Sequence, residues 1–191
     1  MTLLEAQRIA EQSALLIEPY CVKVQIAGSV RRRRPQCNDV DLVAIPRLKA
    51  HRNLLGDIEL TENLLHTALI RYVQENRGKI FWASGAEPKP DGVNFLLQGT
   101  KCQLDIFIAT PATFATRLIT RTGSKEHNVW ISNRAATLHG HFKPQEGIWL
   151  PKPGLIQPES EEAFYQALGL PFIEPEHREA MDLMRLETEL A

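Results

Sequence analysis

Asp39 and Asp41 stand two positions apart at the head of the apolar stretch Asp39 to Ile45. In an extended chain alternate side chains share a face, so both carboxylates lie a few ångströms apart on the side that also carries Val43 and Ile45. Like charges this close raise each other's pKa unless a cation lies between them, and oxygen ligands on a rigid strand suit Mg²⁺. Alone, such a pair reads more simply as the start of a strand at a solvated sheet edge. The preceding residues shift that balance. Gly28-Ser29 closes an earlier β-like stretch, and glycine lets backbone approach a ligand while adjacent amides and a hydroxyl cradle phosphate. Arg31 to Arg34 then bring cationic forks near the acids, although a basic run is by itself a solvated turn. A third acid, Asp105, interrupts Leu104-Asp105-Ile106-Phe107-Ile108, where a charge facing a core is costly unless paired or metal-bound, the alternative being that it points to solvent. Three acids with a Gly-Ser-Arg loop are the parts of a metal-dependent phosphoryl-transfer site.

The surrounding pattern supplies elements to hold these residues. Apolar positions from Leu3 to Ile17 recur at helical spacing behind Thr2, a capping residue type, and Pro19 ends the run. Val22 to Ala27 and Asp39 to Ile45 read as strands flanking the basic loop. Leu60 to Val73 reads as a helix, and Lys79 to Trp82, Val93 to Leu97 and Cys102 to Ala109 as further strands. Beyond Pro111 the pattern turns helical over Ala112 to Ile119 and Lys125 to Ala136. His139 to Trp149 suggests a hairpin, and Glu161 to Leu168 and Glu176 to Leu186 suggest helices. The expected class is α+β, a mixed sheet flanked by helices over 1–110 followed by a small α/β lobe over 111–191.

These motifs are familiar in combination. Gly28-Ser29-Val30-Arg31-Arg32 followed by Asp39-Val40-Asp41 resembles the nucleotidyltransferase signature G-S-x-R-R … D-x-D of the family X DNA polymerases, the polymerase beta family. Thr122-Gly123-Ser124-Lys125-Glu126-His127-Asn128 resembles that family's T-G-S-x-x-x-N thumb motif, and Leu170 to Glu179 resembles its closing L-P-x-I-x-P-E-x-R-E. The resemblance implies a palm-like lobe over 1–110 and a thumb-like lobe over 111–191. It implies that Asp39, Asp41 and Asp105 bind two Mg²⁺, with Mn²⁺ a substitute, and that Asp105 receives the primer hydroxyl proton. Gly28, Ser29 and Arg32 match triphosphate contacts, while Gly123, Ser124 and Asn128 match contacts to the incoming dNTP. The implied activity is transfer of dNMP to a primer 3′-hydroxyl with release of pyrophosphate, as in repair gap filling. Two other readings use the same residues: transfer to an RNA, protein or small-molecule acceptor, and a catalytically silent nucleic-acid-binding module.

The chain also departs from the pattern. Thr120-Arg121 stands where many members carry an aromatic pair, which implies weaker discrimination against ribonucleotides. Cys37-Asn38 replaces a small Ser-Gly, and Gln103 takes the place of a common arginine two residues before the third acid. The reading expects no lyase or helix-hairpin-helix module ahead of the first helix. With 22 Lys and Arg against 23 Asp and Glu, the net charge of −1 offers no global attraction for DNA. Primed or gapped DNA is therefore expected to bind weakly and with strong salt dependence, a protein partner supplying the missing grip. No window approaches the roughly 18 apolar residues of a membrane span, so the expected setting is cytoplasmic, without a membrane. Cys21, Cys37 and Cys102, an odd number without C-x-x-C spacing, read as reduced, packed thiols. His139-Gly140-His141 lacks a nearby third ligand and reads as hairpin alternation. Trp82, Trp130 and Trp149 read as core or surface aromatics before base-stacking platforms. Lys125, Arg134, Lys143 and Lys152 form a candidate phosphate-tracking face whose default is solvation.

Overall fold

The computed structural model describes residues 1–53, 56–83, 85, 87–89, 94–99 and 102–184. Thr2 starts helix α1 (Leu3–Ile17) through a capping box: its backbone N–H donates to Glu5 Oε2 at 2.8 Å, and Glu5 N–H returns a bond to Thr2 Oγ1. After a 3₁₀ turn at Glu18–Tyr20 the chain enters β1 (Cys21–Ile26), a single helical turn α2 (Gly28–Arg31) and β2 (Asp39–Pro46). The basic segment expected as loop thus begins as helix, with Arg32 N–H bonded to the Gly28 carbonyl. A hairpin of β3 (Leu48–Arg52) and β4 (Ile58–Asn63) follows, then α3 (Leu64–Glu75), β5 (Ile80–Trp82), β6 (Asn94–Gly99) and β7 (Gln103–Ile108). The expected strand start at Val93 lies outside the described residues.

The hairpin corrects the reading of 60–73 as one helix. Residues of β4 pair with β3 instead, and Asn63 Oδ1 accepts the His66 N–H at 3.1 Å, so the helix begins only at Leu64. Every residue of β3 is exposed, so its short alternation, Leu48-Lys49-Ala50-His51, marks no buried face.

The main sheet runs β1-β2-β7-β6-β5, with β2 and β7 parallel and the other neighbours antiparallel. One face buries Leu42, Ala44, Ile106, Phe95 and Leu97 against Ile17 of α1 and Leu65 and Leu69 of α3. The opposite face carries Asp39, Asp41 and Asp105 at one end, then Val43, Ile45 and Phe107. Those last three pack under Phe114 and Leu118 of α4 (Phe114–Thr122), which follows a 3₁₀ turn at Pro111–Thr113. Helix packing thus covers half of this face, and the acids occupy the other half.

α5 (Lys125–Thr137), α6 (Glu161–Ala167) and a small sheet ordered β10-β9-β8 form the second core, around Ile119, Ile131, Ile148, Phe164 and Tyr165. The strands are β8 (His141–Lys143), β9 (Gly147–Trp149) and β10 (Leu155–Ile156), the last adding a strand to the expected hairpin. The helix expected over 176–186 is instead a 3₁₀ turn at Pro175–His177 followed by helix at 180–184, positions 185 and 186 lying outside the described residues.

A buried charge triad ties the second core to the first. Glu161, at the start of α6, receives Arg178 Nη1 at 2.9 Å and Arg31 Nη1 at 2.9 Å, with Arg31 Nη2 on its other oxygen. Arg178 is fully buried and also donates from Nε to the Ile173 carbonyl. Burial works against the Glu161 carboxylate, but the two guanidiniums outweigh it and hold the pKa below its ordinary range. Removing one member of such a set strands the others without a counter-charge. Glu161→Ala is therefore expected to cost about 3–5 kcal/mol in urea unfolding, and a loss near zero would show that water reaches both arginines.

Candidate active site

Parallel pairing of β2 with β7 sets Asp41 beside Asp105 and Asp39 beside Gln103. Burial is the larger cause lifting Asp41, to about 7, and the charges of Asp39 and Asp105 add to it while Arg121 and Arg32 pull it down. Asp105 is raised too, chiefly by burial, while Gln103 opposes that shift by donating from Nε2 to Oδ1 at 2.6 Å. Gln103 thus fills the arginine position as a neutral donor to the third acid.

These acids lie at a cleft of about 710 Å³, a size suited to a nucleotide-scale ligand. Gly28, Ser29, Arg32, Asp39 and Asp41 line it from the first lobe, and Gly123, Ser124 and Asn128 from the second. Asp105 is not among the lining residues and stands beside Asp41 in the register. Gly28 has φ +60°, and a Cβ there would fall 1.9 Å from Asp41 Oδ2. Glycine is what allows the phosphate-loop backbone to press against the acid. Ser29 Oγ is buried without a hydrogen-bond partner, an orphan hydroxyl at the cleft wall.

Second-lobe residues are more committed to structure. Ser124 Oγ caps α5 by accepting the His127 N–H at 3.2 Å, and Asn128 Nδ2 donates to the Thr120 carbonyl at 2.8 Å. One N–H of the Asn128 amide is thus committed to the helix ahead of it, and its Oδ1 is buried. Gly123 has φ +71°, and a Cβ there would meet Arg32 Nη1 at 3.1 Å. His127 is fully buried, not on the helix surface, and meets the Tyr165 hydroxyl at 2.7 Å. Burial first, then Arg178, pushes its pKa down to about 3, so it is neutral near pH 7.

Only the second half of the basic run is a solvated turn; Arg31 and Arg32 are largely buried. Arg32 donates from Nε to Glu179 Oε1 at 2.8 Å and from Nη1 to the Thr122 carbonyl. Arg33 and Arg34 lie 3.8 and 3.7 Å from Glu176 and Glu179. Glu161 and Glu179, which hold the arginines beside the acids, were not singled out from sequence, although Glu179 closes the L-P-x-I-x-P-E-x-R-E match. Of the candidate phosphate-tracking residues, Arg134 is bound to the Leu168 carbonyl and Lys143 to Glu146. His141 stacks on Trp149. Cys21 and Cys37 are buried and Cys102 is half-buried, all three as free thiols, with burial raising Cys21 to about 12.

Among the described residues no group of three or more His, Cys, Asp or Glu, the three acids included, is placed to hold a metal ion by itself. Mg²⁺ does not need such a group, because it is commonly held by one or two carboxylates together with substrate phosphates. Crowded oxygens on β2 beside a Gly-Ser loop fit that kind of ion.

A family model described as DNA polymerase beta thumb matches residues 117–179. The DNA polymerase/3'-5' exonuclease PolX of Bacillus subtilis is 30% identical over 162 residues, which is 84% of this chain and 25% of that protein. The chain thus spans about a quarter of the length of the curated relative it matches. Crystal structures of Leishmania infantum polymerase beta share the fold. The ternary P/T complex superposes with a TM-score of 0.65 at 19% identity over 94% of this chain and 76% of that one. For the ternary gap complex the TM-score is 0.67 at 20% identity, over 94% and 70%. The architecture is that of polymerase beta, an α+β arrangement with palm-like and thumb-like parts. These comparisons support a relationship of the chain to the family X DNA polymerases.

Asp41 sets a pH test. Its raised pKa means that the folded protein holds a proton that the unfolded chain releases, so its contribution to stability falls as pH rises from near 3.8 through about 7. In EDTA, Asp41→Asn is expected to match the wild-type melting temperature at low pH and exceed it increasingly toward pH 8. A constant offset at all pH values would contradict the crowding of the acids. In the same measurement, Gly28→Ala is expected to melt below wild type, since the new methyl must displace the Asp41 carboxylate.

Proposed function

We propose that the chain is a metal-dependent nucleotidyltransferase of the DNA polymerase type, adding dNMP from dNTP to a primer 3′-hydroxyl with release of pyrophosphate, in gap filling during DNA repair. The observation that supports this most is the placement of Asp39 and Asp41, with Asp105 in register, at a cleft whose far wall carries the T-G-S-x-x-x-N residues. In this reading 1–110 is the palm and 111–191 the thumb.

Asp39, Asp41 and Asp105 would hold two Mg²⁺, with Mn²⁺ able to substitute; bound there, such ions lower the pKa of an attacking hydroxyl and neutralise a polyphosphate. The chain's own groups do the rest. Ser29 offers its unpartnered hydroxyl to a phosphate oxygen. Arg32 offers a charge-assisted fork once it exchanges Glu179 for the triphosphate. Asp105, held by Gln103, accepts the proton of the primer hydroxyl. Gly123 lets the nucleotide approach the backbone, Ser124 fixes the turn from which α5 starts, and Asn128 lines the cleft where the base would lie. Thr120 and Arg121 at the cleft leave no aromatic barrier to a ribose 2′-hydroxyl. Primed or gapped DNA binds weakly, and a protein partner supplies the grip that a net charge of −1 does not. The proposed setting is cytoplasmic; no helix among the described residues is long and apolar enough to cross a membrane.

The test is primer extension on a gapped template with labelled dNTPs and Mg²⁺. Wild-type protein is expected to extend the primer, and Asp105→Ala to lose about a thousandfold or more, corresponding to several kcal/mol of charge stabilisation. Extension by Asp105→Ala at the wild-type rate would remove this mechanism. Nucleotide transfer confined to an RNA, protein or small-molecule acceptor would replace the polymerase reading, and DNA binding without any transfer would leave a non-catalytic module.

A further inference from the structure

β1 has β2 as its one neighbour and forms an edge of the main sheet, so its outer side presents backbone N–H and C=O groups that no strand of this chain takes up. Val22, 62% exposed on that edge, borders two grooves. One, of about 590 Å³, includes Ile45 and Ala109, which pack with α4, together with Pro46, Leu48 and Pro111; among the described residues none that lines it is charged. The other, of about 430 Å³, includes Ala14, Val24 and Ile26, which pack on the opposite face with Ile17 of α1, and it is bounded by Glu11 and Glu18. Neither carboxylate forms an ion pair among the described residues; Glu11 accepts from the neutral Gln7 Nε2 at 3.0 Å. Lys23 borders the same groove, but its ammonium lies 4.3 Å over the Phe114 ring of α4, on the other face.

An edge with a groove on each face fits an added strand, whose side chains point alternately to the two faces while its backbone extends the ladder. We propose that β1 is a docking edge for an extended segment of a partner protein that alternates apolar residues with lysine or arginine. The apolar side chains fill the uncharged groove beside Pro46 and Leu48. The cationic ones lay their methylene stems along Ala14 and Leu15 and bring their charge to Glu11 and Glu18. A second copy of this chain lacks that chemistry, because β1 offers Lys23 as its one cation and Phe114 already engages it. β1 runs through Ala27 into Gly28 and Ser29, so the partner is held beside the cleft. Docking there does not require nucleotidyl transfer.

The test is fluorescence anisotropy of short, end-blocked peptides that alternate valine with lysine or valine with glutamate, titrated with the whole chain. The valine–lysine peptide is expected to bind about tenfold or more tightly than the valine–glutamate peptide, and to lose roughly tenfold when its alternate backbone amides are N-methylated. The double variant Glu11→Lys, Glu18→Lys, changed at two exposed positions, is expected to reverse the preference between the peptides. Should that variant fail to fold, Val22→Glu, which sets a charge at the lip of both grooves, is expected to weaken binding of the valine–lysine peptide, and undiminished binding overturns the proposal. Equal binding of the two peptides, of the N-methylated peptide or of a scrambled peptide of the same composition overturns it as well, as does no binding at all. In sedimentation velocity, a dimer that the valine–lysine peptide does not dissociate would give the edge to a second copy and rule out the partner.

Discussion

Mutual repulsion of carboxylates on two parallel strands is the constraint around which this molecule is arranged. β2 and β7 are the parallel pair of an otherwise antiparallel sheet, and their register sets Asp41 beside Asp105 with Asp39 one step away on the same face. Partial burial makes three such charges costly, and the neighbourhood answers in several ways. Gly28 removes a side chain that would collide with Asp41, Gln103 donates to Asp105, and Arg32 and Arg121 bring positive charge. A core would have no use for this expense. At the wall of a cleft, the same crowding is what the proposed binding of a cation would relieve.

A second constraint keeps the cleft's two walls in relation. The basic run after Gly28-Ser29 faces the acidic tail of the second lobe across more than a hundred residues of sequence, through Arg31 with Glu161 and Arg32 with Glu179. Its exposed members, Arg33 with Glu176 and Arg34 with Glu179, contribute little to stability. The buried triad of Arg31, Glu161 and Arg178 is different. Such a set is weak evidence of net stabilisation over an apolar core, but it tolerates only one arrangement of its partners. What it fixes is position: Thr122, which accepts from Arg31, leads directly into Gly123 and Ser124.

Much of this was legible in the sequence because it depends on local periodicity. The two-residue spacing of Asp39, Asp41, Val43 and Ile45 placed acids and core on one strand face. Thr2 and the helical spacing from Leu3 to Ile17 mark the first helix, and Pro111 the entry to the second lobe. What was not legible depends on partners distant in sequence. Strand β3 is short and exposed on both faces, so the sequence does not distinguish its hairpin with β4 from the helix that follows. The arginine run looked like a solvated turn because Glu161, Glu176 and Glu179 lie far along the chain. His127 gave no sign that Tyr165 and Arg178 would enclose it. Arg121 shows in the sequence only as a departure from an aromatic pair, since its stack on Phe107 emerges only when α4 crosses the sheet.

The most direct test of the central claim is a crystal structure of the chain soaked in MnCl₂ with a non-hydrolysable dNTP analogue, read by anomalous scattering at the manganese edge. The account predicts a peak among the carboxylates of Asp39, Asp41 and Asp105, adjoining the analogue's phosphates over Gly28 and Ser29. At saturating Mn²⁺, no peak there, or peaks only at surface carboxylates such as Glu62 and Glu146, would contradict it.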